Sequence, residues 1–66
     1  MEKLVIYGNG RIAKIIYQFL KKQFDVVGFT VDKEFIETED VEGLPLIAFD
    51  DSEKTFTPED HRMLIA

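Results

Sequence analysis

The sequence predicts an α/β fold in which helices cover a short parallel sheet, and three observations predict it. Apolar runs rich in branched residues recur at 3–7, 26–31, 44–49 and 63–66, as expected of strands buried on both faces. Between the first two runs, apolar residues change to three- and four-residue spacing, the period of a helix with one buried side. A glycine turn, Gly8-Asn9-Gly10, joins the first run to that segment. Strand, helix and strand within about thirty residues make a right-handed βαβ unit. The architecture this implies is a small Rossmann-like three-layer domain with a short parallel sheet.

Each element follows from its residues. Lys3 to Tyr7 is the first strand. From 11 to about 23, Ile12, Ala13, Ile15, Ile16, Phe19 and Leu20 form an apolar stripe, with Lys14, Gln18, Lys21 and Lys22 opposite. The lysines suit the last turn, where the helix dipole favours positive charge. Residues 26–31 form the second strand and end at Asp32, where an acidic stretch without apolar period runs over 33–42. Gly43 then leads into 44–49, in which Pro45 lacks an amide donor and suits a strand start or an edge. Asp50-Asp51-Ser52 open a short helical turn through Phe56. Thr57 as N-cap and Pro58 at the first helical position predict a second helix start, and 63–66 predicts the next buried strand.

Length and composition set the outer limits. Sixty-six residues without cysteine are near the smallest core that is self-sufficient, so 1–66 is one domain or part of one. The closing run Arg62-Met63-Leu64-Ile65-Ala66 has no cap or polar tail and suggests the front piece of a longer protein. With 45% hydrophobic and 32% charged residues and a net charge of -5, the chain is a poor match for nucleic acid or an anionic membrane. The first apolar run is too short for a signal peptide or a membrane span, so a cytoplasmic location is expected. Acidic residues cluster at Asp32, Glu34, Glu37, Glu39, Asp40 and Glu42, whereas Arg11, Lys14, Lys21 and Lys22 lie on the first helix. An anionic ligand is therefore drawn to the first loop.

That loop carries the chemistry. Gly8-Asn9-Gly10-Arg11-Ile12-Ala13 follows a strand and opens a helix, the context in which G-x-G-x-x-A cradles a diphosphate. Gly8 permits the sharp turn, Gly10 lets backbone approach phosphate, and Ala13 lets the helix settle on the sheet. The amides of Gly10, Arg11 and Ile12 point at an anion at the positive end of the helix. Asp32, at the end of the second strand, is placed to accept from a ribose hydroxyl, and equally to start a turn. Arg11 and Lys14 either neutralise phosphate or form a solvated face. Tyr17 lies off the stripe and covers a neighbouring element. His61 has no Ser, Cys or carboxylate at catalytic or metal-binding spacing and reads as a surface residue. Glu37, Glu39 and Asp40 lack the ligand spacing of a calcium loop, and no metal is expected.

The segments Lys3-Leu-Val-Ile-Tyr-Gly-Asn-Gly-Arg-Ile-Ala-Lys14, Val26-Val-Gly-Phe-Thr-Val-Asp32, Glu42-Gly-Leu-Pro-Leu-Ile47 and Arg62-Met-Leu-Ile-Ala66 together resemble the N-terminal domain of bacterial sugar O- and N-acyltransferases of the sialic acid O-acetyltransferase type. The resemblance implies a domain that holds a nucleotide-linked sugar, often a UDP-sugar. It also implies a further C-terminal left-handed β-helix of hexapeptide repeats that binds acetyl-CoA and forms a homotrimer. By resemblance, Gly8, Gly10 and Ala13 line the phosphate turn with Asn9, Arg11 and Ile12 between them. Asp32 faces the nucleoside, and backbone near Leu46 and Ile47 meets the base. Many relatives carry Gly-Gly-His-Ala where this chain has Gly10-Arg11-Ile12-Ala13, so its ligand or binding mode differs. His61 does not match the family's catalytic histidine. A second class remains open, an NAD-binding or ligand-sensing βαβ module, and a third is an empty module that helps assemble an oligomer.

Overall fold

The computed structural model describes residues 1–66. Its elements are β1 (Lys3–Tyr7), α1 (Arg11–Leu20), β2 (Asp25–Val31), a single 3₁₀ turn (Lys33–Phe35), β3 (Asp40–Val41), β4 (Leu44–Ala48), α2 (Phe49–Thr55) and β5 (His61–Ile65). The five strands form one mixed sheet in the order β3-β4-β2-β1-β5. β1, β2, β4 and β5 run parallel and β3 antiparallel. The fold is thus α/β, with two helices.

Side-chain alternation sorts the residues of β1 between the two sheet faces. Leu4 and Ile6 join Val26, Phe29, Val31, Val41 and Leu46 in the core that Ala13, Ile16, Tyr17 and Leu20 of α1 pack against. Tyr7 points the other way, its ring edge-on to Phe49 of α2 at 5.2 Å. Phe56, just past α2, closes over Gly28, where an added Cβ would stand 2.6 Å from the Phe56 ring. Gly28 is therefore required by packing.

Several expectations change. α1 ends at Leu20 and not near 23; residues 21–23 form a turn in which Phe24 N–H donates to the Leu20 carbonyl at 2.9 Å. Lys21 becomes the C-cap, so no lysine occupies the last helical turn. Tyr17 covers a neighbouring element as expected, its ring 5.7 Å from that of Phe29 of β2, but the expected stripe does not hold as the buried side: Ile12, Ile15 and Phe19 are 61%, 47% and 73% exposed. The stripe is wider than the face a thin sheet can cover. The acidic stretch holds more structure than its composition suggests: the 3₁₀ turn and β3 lie within it, and Glu42 and Gly43 both take positive φ, 54° and 78°. They form a two-residue link of the kind that joins antiparallel strands. Pro45 pairs with Asp40 of two-residue β3, so β4 is covered only along part of its length.

No helix starts at Thr57. Thr57 Oγ1 donates to Asp60 Oδ2 at 3.1 Å, and Asp60 N–H returns to the Thr57 carbonyl at 3.1 Å, closing a turn. β5 already begins at His61, two residues before the predicted run, which leaves no room for a helix. His61 is half-buried. Its Nδ1 donates to the Thr57 carbonyl at 2.9 Å and its ring meets Phe56 edge-on, so it fastens the turn to the strand.

Candidate functional site

The glycine loop links the C-terminal end of central strand β1 to the N-terminus of α1. Gly8 has φ +137°, and a Cβ there would stand 3.3 Å from Ala66 Cβ and 3.4 Å from Ala13 Cβ. Conformation and crowding both demand glycine. Its N–H donates to the Thr30 carbonyl at 2.7 Å, which continues the β1–β2 ladder into the turn. Asn9 Nδ2 donates to the Phe35 carbonyl at 3.0 Å and so ties the loop to the 3₁₀ turn after β2.

Gly10 differs. Its φ of −88° and ψ of −166° suit any residue, and a Cβ there would have nothing within 4 Å. No internal contact requires glycine at this position. Gly10 is the N-cap of α1, yet no side chain caps the helix and no acidic residue lies in its first turn. The first-turn amides of Arg11, Ile12 and Ala13 therefore lack the partners that a helix start needs. Arg11 is exposed and forms no ion pair; the chain's single ion pair joins Arg62 Nε to Glu2 Oε2 at 3.0 Å. Ala13 is 2% exposed under the loop, where its small side chain permits close contact between helix and sheet.

Asp32 directly follows β2 on the same edge of the sheet. Tyr7 Oη donates to its Oδ1 at 2.6 Å, which leaves Oδ2 free. Because ionising the phenol would cost that bond, the Tyr7 pKa is raised above its ordinary 10.0, with partial desolvation and the Asp32 charge adding to the effect. Sequence reasoning missed Tyr7; its signal was a hydroxyl-bearing aromatic immediately before Gly8. Beside this pair, Asp32, Lys33, Glu34 and Asp50 line an open hollow of about 230 Å³. Its acidic wall favours hydroxyl donors, while the first-turn amides and Arg11 favour anions. A polyhydroxyl group attached to a phosphate matches both.

Leu46 and Ile47 lie inside β4, opposite Phe29 and Thr30. Leu46 is 5% exposed, and its N–H is engaged by the Glu39 carbonyl at 3.0 Å. The structure therefore gathers Gly8, Asn9, Gly10, Arg11 and Asp32 around one loop cluster, joined by Tyr7, and leaves Leu46 and Ile47 in the sheet. A larger apolar hollow of about 340 Å³, between α2 and β5, is lined by Val5, Phe49, Phe56 and Met63 among others. It lies on the Tyr7–Phe49 side and contains none of the loop residues. No group of three or more His, Cys, Asp or Glu side chains is placed to hold a metal, and no helix is long and apolar enough to cross a membrane. Comparison with protein-family models, with curated proteins and with solved structures yields no match.

Proposed function

We propose that residues 1–66 form a Rossmann-like, three-layer nucleotide-sugar-binding domain of an acyltransferase, one that transfers an acyl group from acyl-CoA to a sugar hydroxyl or amine. The observation that carries the binding reading is Gly10: an unconstrained glycine facing open space beside the uncapped N-terminus of α1. Diphosphate bound there accepts from the first-turn amides, with Arg11 as counter-charge. Asp32 Oδ2 accepts from a ribose hydroxyl while Tyr7 holds Oδ1. The parallel strands in the order β4-β2-β1-β5 are consistent with half of a doubly wound nucleotide-binding sheet. Contact of α1 with Leu4 and Ile6 and of α2 with Tyr7 supports three layers.

The choice of a UDP-sugar, of acyl transfer, of acetyl-CoA as co-substrate and of a homotrimer rests on the sequence resemblance. In that family the acyl-CoA site and the catalytic histidine belong to the hexapeptide repeats. This domain's part is to bind and orient the nucleotide, and the reading places it in the cytoplasm.

Calorimetric titration with UDP-N-acetylglucosamine, NAD and NADP tests the proposal. The expected order of affinity is UDP-sugar, then NAD, then NADP, because the Asp32 carboxylate repels a 2′-phosphate. Asp32→Asn should lose discrimination against NADP more than it loses diphosphate affinity. NAD binding more tightly than the UDP-sugar would favour the dinucleotide reading, and NADP binding tightest would overturn the role of Asp32.

A further inference from the structure

The exposed flank of α1 has no role in the nucleotide site. Tyr17 leans over Phe29 of β2, and successive side chains turn by about 100° around the helix. The opposite flank, bearing Ile12 and Phe19 with Ile15 at its rim, therefore faces the β5 side of the sheet. On β5, Leu64 stands in register with Ile6 and so projects to the same face as α1; it is 37% exposed. Helix flank and strand face form a step that the elements within residues 1–66 leave uncovered. Ile12, Ile15 and Phe19 follow the i, i+3, i+7 spacing of a helix-docking ridge. Ile15, Gln18, Phe19 and Lys22 enclose a shallow hollow of about 340 Å³.

Charge selects the occupant. Arg11 and Lys22 border this flank, Lys22 lining the hollow with Ile15 and Phe19, and no Asp or Glu occurs from residue 3 to residue 24, in a chain whose net charge is -5. A second copy packed antiparallel through the same helix would set Arg11 against Lys22 of its neighbour, which like-charge repulsion disfavours. A bilayer fits a step less well than a protruding face, because a flat surface reaches only the upper edge of the step and leaves its recess unfilled. We propose that this step docks an acidic amphipathic helix of a partner protein, its apolar ridge against Ile12, Phe19 and Leu64 and its carboxylates against Arg11 and Lys22.

The test uses the full chain and two synthetic two-heptad helical peptides with leucine at i, i+3 and i+7, one with glutamate and one with lysine at the flanking positions. Fluorescence anisotropy should show the glutamate peptide binding at least about tenfold more tightly than the lysine peptide, with the advantage shrinking as salt rises. Phe19→Asp should weaken glutamate-peptide binding by at least about tenfold while far-UV circular dichroism and UDP-sugar titration stay as in the parent. Should Phe19→Asp unfold, Lys22→Glu, at an exposed site, decides the question by lowering the glutamate-peptide preference. Equal binding of the two peptides, no binding of either, or binding unchanged in both variants would overturn the proposal. So would sedimentation showing self-association that Phe19→Asp abolishes, or flotation with phosphatidylglycerol vesicles in preference to peptide binding.

Discussion

Replacing Gly10 with alanine separates a residue kept for folding from one kept for a ligand. At Gly10 the backbone is already in an ordinary region and an added Cβ meets nothing within 4 Å. Two small effects oppose each other there. Alanine is a poorer N-cap than glycine by roughly 0.5–1 kcal/mol, while the entropy it removes from the unfolded chain stabilises by roughly 0.4–1 kcal/mol. The expected net change is within about 0.5 kcal/mol. Gly8→Ala is the matched control: φ +137° and contacts at 3.3 and 3.4 Å make it costly, by about 1–3 kcal/mol for a strained backbone. If diphosphate approaches the Gly10 backbone, the new methyl group should lower UDP-sugar affinity at least about tenfold, roughly 1.4 kcal/mol. Urea denaturation gives the two stabilities and calorimetry the affinity. A Gly10→Ala protein that binds as the parent does would refute the argument that this glycine makes room for a ligand. A loss of stability matching that of Gly8→Ala would show instead that Gly10 serves the fold.

Three further outcomes follow from the packing and the site. Gly28→Ala places a Cβ 2.6 Å from the Phe56 ring and 3.0 Å from the Pro45 carbonyl oxygen; overpacking should cost about 1–3 kcal/mol, and Phe56→Leu in the same chain should return part of it, read as a coupling in a double-mutant cycle. Thr30 is fully buried and its Oγ1 has no hydrogen-bond partner, so Thr30→Val should leave stability unchanged or raise it by up to about 1 kcal/mol; a clear loss in thermal denaturation would mean that the hydroxyl is satisfied. Phenolate absorbance should place the Tyr7 midpoint above 10.0, with Tyr7→Phe identifying its contribution, and Asp32→Asn should move it back down. Because the folded pKa lies above the unfolded one, this bond's contribution is full below the unfolded value and fades as pH rises through the folded one. A Tyr7 midpoint unmoved by Asp32→Asn would separate the two groups in solution.

β1, β2, most of β4 and the core of α1 are legible in the residues alone, because branched apolar runs and three- and four-residue spacing are local consequences of burial. The residues also mark Gly8, Gly10 and Asp32, since turn geometry and strand ends are tied to particular residue types. Which side of α1 is packed depends instead on contacts far apart in the chain. Tyr17 is drawn inward by Phe29 of β2, while Ile12, Ile15 and Phe19 of the apparent stripe stay exposed, because a helix buries what its neighbours can reach. Tertiary pairing also made β3 from an acidic stretch, through Glu42 and Gly43 at positive φ and the short ladder to β4. It turned the helix signal at Thr57 and Pro58 into a turn, because β5 begins at His61. The Tyr7–Asp32 bond, at 2.6 Å, spans 25 positions. Local pattern marks Tyr7 only as a hydroxyl-bearing aromatic before Gly8 and does not pair it with Asp32, since the bond exists only where parallel pairing brings the ends of β1 and β2 to the same edge of the sheet.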